Sequence, residues 1–395
     1  MPNAYTSTGS TTLGGTVGGA GLVQKAYDRL LEFALRAEPL IRSVADKTPA
    51  QQSIPGSTIV LQKYVDLTAA TGTLSESVDP DAVALSTPDQ VTITLNEYGN
   101  SVLVTRALEL FSLADVDPAI SNVIAFNLAD SIDKVAMETL RGGTNVIYGG
   151  SATSTATVAA TSTLDSADIR KAVAKLRSNK AAYRKGSMYW VGIHPEVSHD
   201  LRAETGAAGW RDPHNYQSNE NIWAGEIGAY EGAYFVESPR MFNSKSGANQ
   251  TNLATASAVS GASGAFTIVA ANGAFGGRAE VGDKISGTNV GTDAKITAIS
   301  VGTTNTTFTV DVANSGTVGT NTLTVTPVTR VFNTIIAGKQ AMAQAVAEEP
   351  HVVIGNVTDK LMRFRPMGWY GVLGFARYRE EALYRLETGS SISAL

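Results

Sequence analysis

Two stretches of alternating apolar and polar residues, separated by a long acidic connection, constrain the fold of this chain most strongly. The alternation runs through residues 58–66 and resumes at residues 91–96, which is typical of half-buried β-strands. Residues 74–90 between them contain no Lys or Arg. Because an isolated hairpin is only marginally stable in water, we expect this arm to pack on another copy of the chain. Its predicted inter-subunit contacts are Lys63, Tyr64, Glu76, Asp79, Asp81 and Asp89.

A long helix is predicted over residues 118–141. Asp117 is a suitable N-cap, and Pro118 suits the first helical position. Gly142 and Gly143 follow directly and provide the stop. At 1.5 Å per residue this helix is about 36 Å long. One broad apolar face forms its predicted core: Ile120, Val123, Ile124, Leu128, Ile132, Val135 and Leu140.

Residues 246–329 differ in composition from the rest of the chain. Only 7 of these 84 residues are charged, and short β-rich runs recur between Gly and Asn residues without a helical period. This pattern predicts a separate all-β module, a small barrel or sandwich. From Val331 the sequence returns to a mixed α/β pattern, so the module is expected to be an insertion within a domain.

Charge and composition exclude several classes of protein. Lys+Arg total 31 and Asp+Glu 36, for a net charge of −5, whereas a dedicated nucleic-acid binder carries a basic excess. The absence of Cys excludes disulfides, thiolate metal sites and cysteine nucleophiles. The first 24 residues lack the features of a signal peptide, and no apolar run is long enough to span a membrane. We therefore expect a soluble protein made in a cytoplasm, with no membrane partner.

Motifs for catalysis are equally scarce. His194, Glu196 and His199 suggest a metal cluster, but the two histidines are five residues apart and fall on different faces of a helix. No phosphate-binding loop, nucleophile elbow or dinucleotide fingerprint is present. We expect no catalytic residue, no metal and no cofactor, and therefore a protein that is not an enzyme.

Several segments, taken in order, resemble a known family. They are TLNEYGN at 94–100, LADVDP at 113–118, LRGGTN at 140–145, VTDK at 357–360 and FRPMGW at 364–369. In sequence and spacing they resemble the major capsid proteins of tailed bacteriophages with the Hong Kong 97-type shell fold, and most closely the branch typified by phage N-four. The resemblance covers about residues 20–242 and 330–390.

The resemblance implies an α+β fold with an N-terminal arm, an E-loop hairpin, a spine helix, peripheral and axial domains, and an all-β insertion domain. The expected boundaries are a 1–21 arm, a 22–49 helical segment, a 50–106 E-loop with flanking strands, a 107–150 peripheral domain with the spine helix, a 151–245 first axial part, a 246–329 insertion domain, and a 330–395 return with the C-terminal strand.

The implied function is self-assembly into the icosahedral head of a tailed phage, which encloses double-stranded DNA. The implied partners are further copies in pentamers and hexamers, scaffolding, portal and decoration proteins, and packaged DNA bound without sequence specificity. The protein would be assembled in the host cytoplasm and reside in the virion. Two alternatives stay open: another self-assembling protein, such as a tail-tube or surface-layer subunit, and a hydrolase with a β accessory domain.

Overall fold

A computed structural model describes residues 39–47, 57–64, 66–74, 76, 83–84, 88–106, 116–204, 226–253, 255–355, 361 and 363–393. The predicted 1–21 arm, residues 22–38 and 48–49 of the predicted helical segment, and Asp79 and Asp81 lie outside the described residues. The chain divides into two compact units. Of the described residues, the smaller unit contains those within 99–128 and 350–370, and the larger unit contains those within 39–98, 129–349 and 371–393.

The described residues form three α-helices and nineteen strands. The helices are α1 (Val116–Arg141), α2 (Ser166–Ser178) and α3 (Pro195–Ala203). The strands of the first half are β1 (Asp46–Lys47), β2 (Thr58–Lys63), β3 (Asp89–Thr94), β4 (Asn96–Thr105), β5 (Val146–Tyr148), β6 (Tyr189–Ile193), β7 (Glu226–Tyr230), β8 (Ala233–Glu237) and β9 (Asn243–Asn249). Those of the second half are β10 (Ala256–Ser260), β11 (Thr267–Ala271), β12 (Lys284–Gly287), β13 (Ile296–Val301), β14 (Asn305–Val310), β15 (Thr322–Thr326), β16 (Val328–Ala337), β17 (Met342–Ile354), β18 (Phe364–Arg377) and β19 (Leu383–Thr388).

The strands form four sheets. Their orders are β1-β17-β18-β4, β12-β15-β10-β11-β14-β13, β5-β19-β16-β6-β8-β7 with β9 also paired to β16, and the β2-β3 hairpin.

The sheet containing β16 and β6 is the centre of the larger unit and is covered on both faces. Because side chains alternate along a strand, Tyr189, Val191 and Ile193 face one core while Trp190 faces another. Helices α2 and α3 pack on the first face through Ile169, Val173, Leu176, Val197 and Leu201. The C-terminal half of α1 packs on the second face through Ala136, Met137 and Leu140.

The charge-poor segment forms a closed six-stranded barrel. Strands β12 and β13, the two ends of its sheet, are joined by a bridge between Lys284 and Lys295. Its interior is a separate apolar core in which the rings of Phe275 and Phe308 meet edge to face, with 5.7 Å between their centroids. Strand β10 carries little strand signal in its sequence, because Val259 is its one β-branched residue and the others are Ala and Ser.

Helix α1 differs from its prediction at two points. It begins at Val116, so Asp117 lies inside the helix and is not its N-cap. Ile124, Ile132 and Leu140 are buried and Ile120, Leu128 and Val135 are half-buried, but Val123 is 44% exposed. The core prediction is therefore wrong for Val123. Successive helix residues point about 100° apart, so Val123 faces sideways when its neighbour Ile124 faces inward.

The smaller unit is organised around a polar contact. Asn127 Oδ1 accepts hydrogen bonds from Trp369 Nε1 at 2.9 Å and from Asn100 Nδ2 at 3.3 Å. Strand β4 runs through Gly99 and Asn100 without interruption. Gly99 is required there for close approach, because a Cβ atom would lie 2.8 Å from the Trp369 carbonyl oxygen.

Candidate assembly surfaces

The base of the β2-β3 hairpin is attached to its own subunit. The strands pair antiparallel from Thr58 opposite Thr94 to Lys63 opposite Asp89. Ile93 is fully buried in a small cluster with Ala343 and Ala345 of β17, and Ile59 and Leu61 pack against this cluster. The alternation in the sequence thus correctly identifies the buried face of the hairpin.

Beyond the last strand pair the connection turns its apolar side chains outward. We name residues 64–88 the hairpin tip, of which 64, 66–74, 76, 83–84 and 88 are described. Tyr64 is 62% exposed, Leu74 79% and Val83 78%, and Leu67 is also exposed. Exposed apolar side chains concentrated in one segment mark an interaction surface. The contacts predicted from the sequence include Tyr64 and the acidic residues of this segment but not Leu67, Leu74 or Val83.

The predicted contact residues that are described occupy different environments. Lys63 forms an ion pair with Glu381 of its own chain, with 3.0 Å between Nζ and Oε1. A backbone hydrogen bond and the Lys63 ammonium lower the pKa of Glu381. Asp89 is exposed and accepts a hydrogen bond from the Gln90 N–H, and Glu76 is exposed in a turn. Their roles between subunits stay predictions.

A second apolar surface lies in the smaller unit, at the far ends of β17 and β4. Val352, Val353 and Ile354 are consecutive and all exposed, as are Val102 and Leu103. Since neighbouring residues on a strand point to opposite faces, both faces of this sheet end are uncovered in the single subunit. We name these five residues the sheet-end surface.

A buried carboxylate secures the first described segment of the chain. Asp133 of α1 is 2% exposed, and its Oδ1 accepts hydrogen bonds from the N–H groups of Ile41 at 2.6 Å and Arg42 at 3.1 Å. Its Oδ2 accepts from Arg240 Nε at 3.2 Å. Arg240 also pairs with Asp130. Burial alone would raise the pKa of Asp130, but hydrogen bonds from Lys134 and Arg240 lower it.

The histidine cluster considered in the sequence serves the fold. His194 caps α3 by accepting a hydrogen bond from the Glu196 N–H at 3.3 Å, and its ring lies 4.8 Å from that of Phe332. Burial lowers the pKa of His194. In the described residues no group of three or more His, Cys, Asp or Glu side chains could hold a metal ion. Nor does any helix there have the length and hydropathy to cross a membrane.

Comparison with known families identifies the kind of protein that carries these surfaces. The profile described as phage capsid protein matches residues 38–384, which is most of the chain. The chain belongs to this family of phage capsid proteins. No curated protein sequence matches the chain.

Solved structures support the same fold at low sequence identity. The capsid protein is similar to the capsid of Ralstonia phage GP4, at 13% identity and a TM-score of 0.59, covering 93% of this chain and 96% of that one. The cyanophage Pam1 capsid asymmetric unit is 12% identical with a TM-score of 0.58, and the match covers 94% of this chain and 97% of that one. The acidic stable capsid of Helicobacter pylori bacteriophage KHP30 is 12% identical with a TM-score of 0.52, and the match covers 93% of this chain and 95% of that one.

These likenesses confirm the predicted α+β phage capsid fold and are consistent with the Hong Kong 97 type. The phage N-four-like branch stays a prediction. Membership in a structural family also places the capsid protein in the virion and favours a role other than catalysis.

Proposed function

We propose that this capsid protein is the major subunit of a tailed-phage head and that its copies close into an icosahedral shell around double-stranded DNA. Family membership gives the role. The observation that carries the mechanism is the exposure of large apolar side chains on the hairpin tip and on the sheet-end surface. Both surfaces are arranged for contact with further copies of the chain.

Closure of a shell follows from repeating modest contacts. Closed symmetric assemblies use the same interfaces many times, and linked contacts bind far more tightly than each contact alone. Exposed ion pairs contribute only about 0–1 kcal/mol each, whereas apolar burial contributes about 25 cal/mol per Å². The apolar residues of the tip therefore supply more of the binding energy than its carboxylates.

The remaining parts of the subunit have proposed roles that follow the resemblance. Residues 107–150 with α1 form the peripheral domain, and residues 151–245 with the return from residue 330 form the axial domain that meets its copies in pentamers and hexamers. The 1–21 arm reaches a neighbour. Scaffolding, portal and decoration proteins are proposed partners, and assembly takes place in the host cytoplasm.

Electron microscopy tests the proposed function directly. Purified full-length chain, imaged by negative stain with and without a co-expressed scaffolding protein, should give closed isometric particles. Rods under the same conditions would indicate a tail tube, and flat lattices a surface layer. Monomers at every concentration, with or without scaffold, would contradict a shell subunit.

We further propose that the barrel is an insertion whose removal leaves the body folded. Its flanking strands pair with each other in the body sheet, since Asn249 lies opposite Val328 and the Gln250 N–H donates to the Pro327 carbonyl at 2.8 Å. The barrel has its own apolar core. These contacts favour a boundary at residues 251–326, slightly inside the predicted 246–329.

Replacing residues 251–326 by a short Gly/Ser link should give a subunit with a cooperative thermal transition within a few degrees of the intact chain. The substitution removes Asp283 and Glu280, which hold the largely buried Lys245 at 2.6 Å and 2.9 Å. Lys245 then becomes exposed to water, so the loss of its two carboxylate partners does not leave an unpaired charge buried in the protein. Circular dichroism measures the outcome, with an equally long Gly/Ser link inserted after Gly72 as the control. A non-cooperative melt from the excision alone would contradict the boundary.

A further inference from the structure

Positive charge is concentrated on α2 and the turn that follows it. Between Ile169 and Pro195 the chain contains seven of its 31 Lys and Arg residues and no Asp or Glu, although its net charge is −5. The sign of the charge is therefore reversed locally. Six of the seven side chains are exposed, and we name them the basic surface: Arg170, Lys171, Lys175, Arg177, Lys180 and Lys185.

The fold directs these cations outward together. Ile169, Val173 and Leu176 are buried in the core, so the opposite half of α2 faces solvent. With about 100° between successive residues, the four helical cations all fall on that outward half. Lys180 follows at φ 55° in the turn that ends the helix.

Carboxylates on neighbouring elements neutralise little of this charge. Arg170 lies 4.0 Å from Glu231, in a pair whose two side chains are both substantially exposed. The seventh cation, Arg184, is half-buried and lies 4.0 Å from Asp46. Asp168, at the start of α2, lies close enough to interact with Lys171. Exposed pairs of this kind contribute only about 0–1 kcal/mol each, and the six side chains of the basic surface remain accessible to solvent.

Helix stability explains only part of the pattern. Cations in the last turn of a helix interact favourably with its dipole, and this accounts for Lys175 and Arg177. The dipole does not account for Arg170 and Lys171 in the first half of the helix. Nor does it account for Lys180 and Lys185 beyond the helix end.

The chemistry around the cations favours a phosphate polyanion over a protein. Protein interfaces bury an apolar centre, but the exposed residues between these cations in the sequence include Ser178, Asn179 and Ser187, and Tyr183 is the one large hydrophobic residue exposed within residues 170–187. Double-stranded DNA presents one charge per 1.7 Å of axis and is bound largely by Lys and Arg. The helix is about 20 Å long, which suits contact with several successive phosphates.

We propose that the basic surface binds the phosphate backbone of the double-stranded DNA enclosed by the shell, without reading its sequence. This inference rests on the proposed function and adds that α2 faces the interior of the head. One subunit binds DNA weakly, and the many copies in a shell together bind it far more tightly.

The test uses the purified full-length chain and a fluorescein-labelled 30-base-pair DNA duplex, with anisotropy measured from 50 to 300 mM NaCl. The variant K171Q/K175Q/K180Q should bind about 10-fold or more weakly at 100 mM, with a slope of log affinity against log salt reduced by about 2–3. The control K134Q/R278Q/K295Q removes the same charge from other exposed sites and should bind like the wild type. K171R/K175R/K180R should restore both affinity and slope.

Equal loss in the control, or an unchanged salt slope in K171Q/K175Q/K180Q, would overturn the inference. So would tighter binding to polyglutamate than to DNA at equal charge concentration, which would indicate an acidic protein partner. Shell formation is scored separately by electron microscopy. Shells that form normally while wild-type subunits show no DNA binding would reject this inference and leave the proposed function intact.

Discussion

Replacing the hairpin tip, residues 64–88, by Asn-Gly should abolish closed shells while leaving a folded subunit. Lys63 and Asp89 lie directly opposite each other, so a two-residue type I′ turn can close the shortened hairpin without changing its register. The base keeps its packing through Ile93. The change removes the exposed Tyr64, Leu67, Leu74 and Val83, and we expect at least a 10-fold fall in closed particles counted by negative-stain microscopy.

Two further variants separate apolar from acidic contributions to this effect. L67S/L74S/V83S should reduce shell yield nearly as strongly as the shortened hairpin, whereas E76Q should have little effect. V301S changes a similarly exposed residue on the barrel and controls for a general loss of surface apolarity. Normal yields from the shortened hairpin would show that the tip is not an assembly contact.

Replacing Asp133 with Ala should lower the free energy of unfolding of the subunit by about 3 kcal/mol. The change leaves the N–H groups of Ile41 and Arg42 without their acceptor, and a buried unsatisfied donor costs about 1–3 kcal/mol. It also removes one of the two carboxylates that hold Arg240. Urea denaturation of unassembled subunits, followed by circular dichroism, measures the loss.

Asp130 provides the matched comparison one helical turn away. It shares Arg240 and is more exposed than Asp133, so D130A should cost about 1 kcal/mol or less. D133N keeps an acceptor for the two N–H groups and should fall between the alanine variants. If D133A costs no more than D130A, the hydrogen bonds to Ile41 and Arg42 are not what stabilises this contact.

Features with a short period along the chain could be predicted. The alternation around Ile59 and Ile93 correctly identified the hairpin face. The apolar spacing of α1 predicted its course, and Gly142 and Gly143 predicted its end at Arg141. Such patterns depend on residues at most four positions apart. The error at Val123 arose because a list of apolar residues on a broad face does not say which of two neighbours points inward.

Features that join distant segments could not be predicted. The partners of Asp133 are 91, 92 and 107 residues away in sequence. The only signal in the chain was a carboxylate beside Ile132, in the middle of the apolar pattern. The bridge between Lys284 and Lys295 that closes the barrel likewise depends on how six strands are arranged.

The hairpin strands, the long helix, the charge-poor β segment and, through its motifs, the resemblance to phage capsid proteins could all be recognised in the order of the amino acids. The three-dimensional fold was needed to show which apolar side chains remain uncovered, which carboxylate secures the first described segment, and which cations share one surface. This difference arises because periodicity is a property of neighbouring residues. Burial and charge clustering depend instead on contacts between segments that are far apart along the chain.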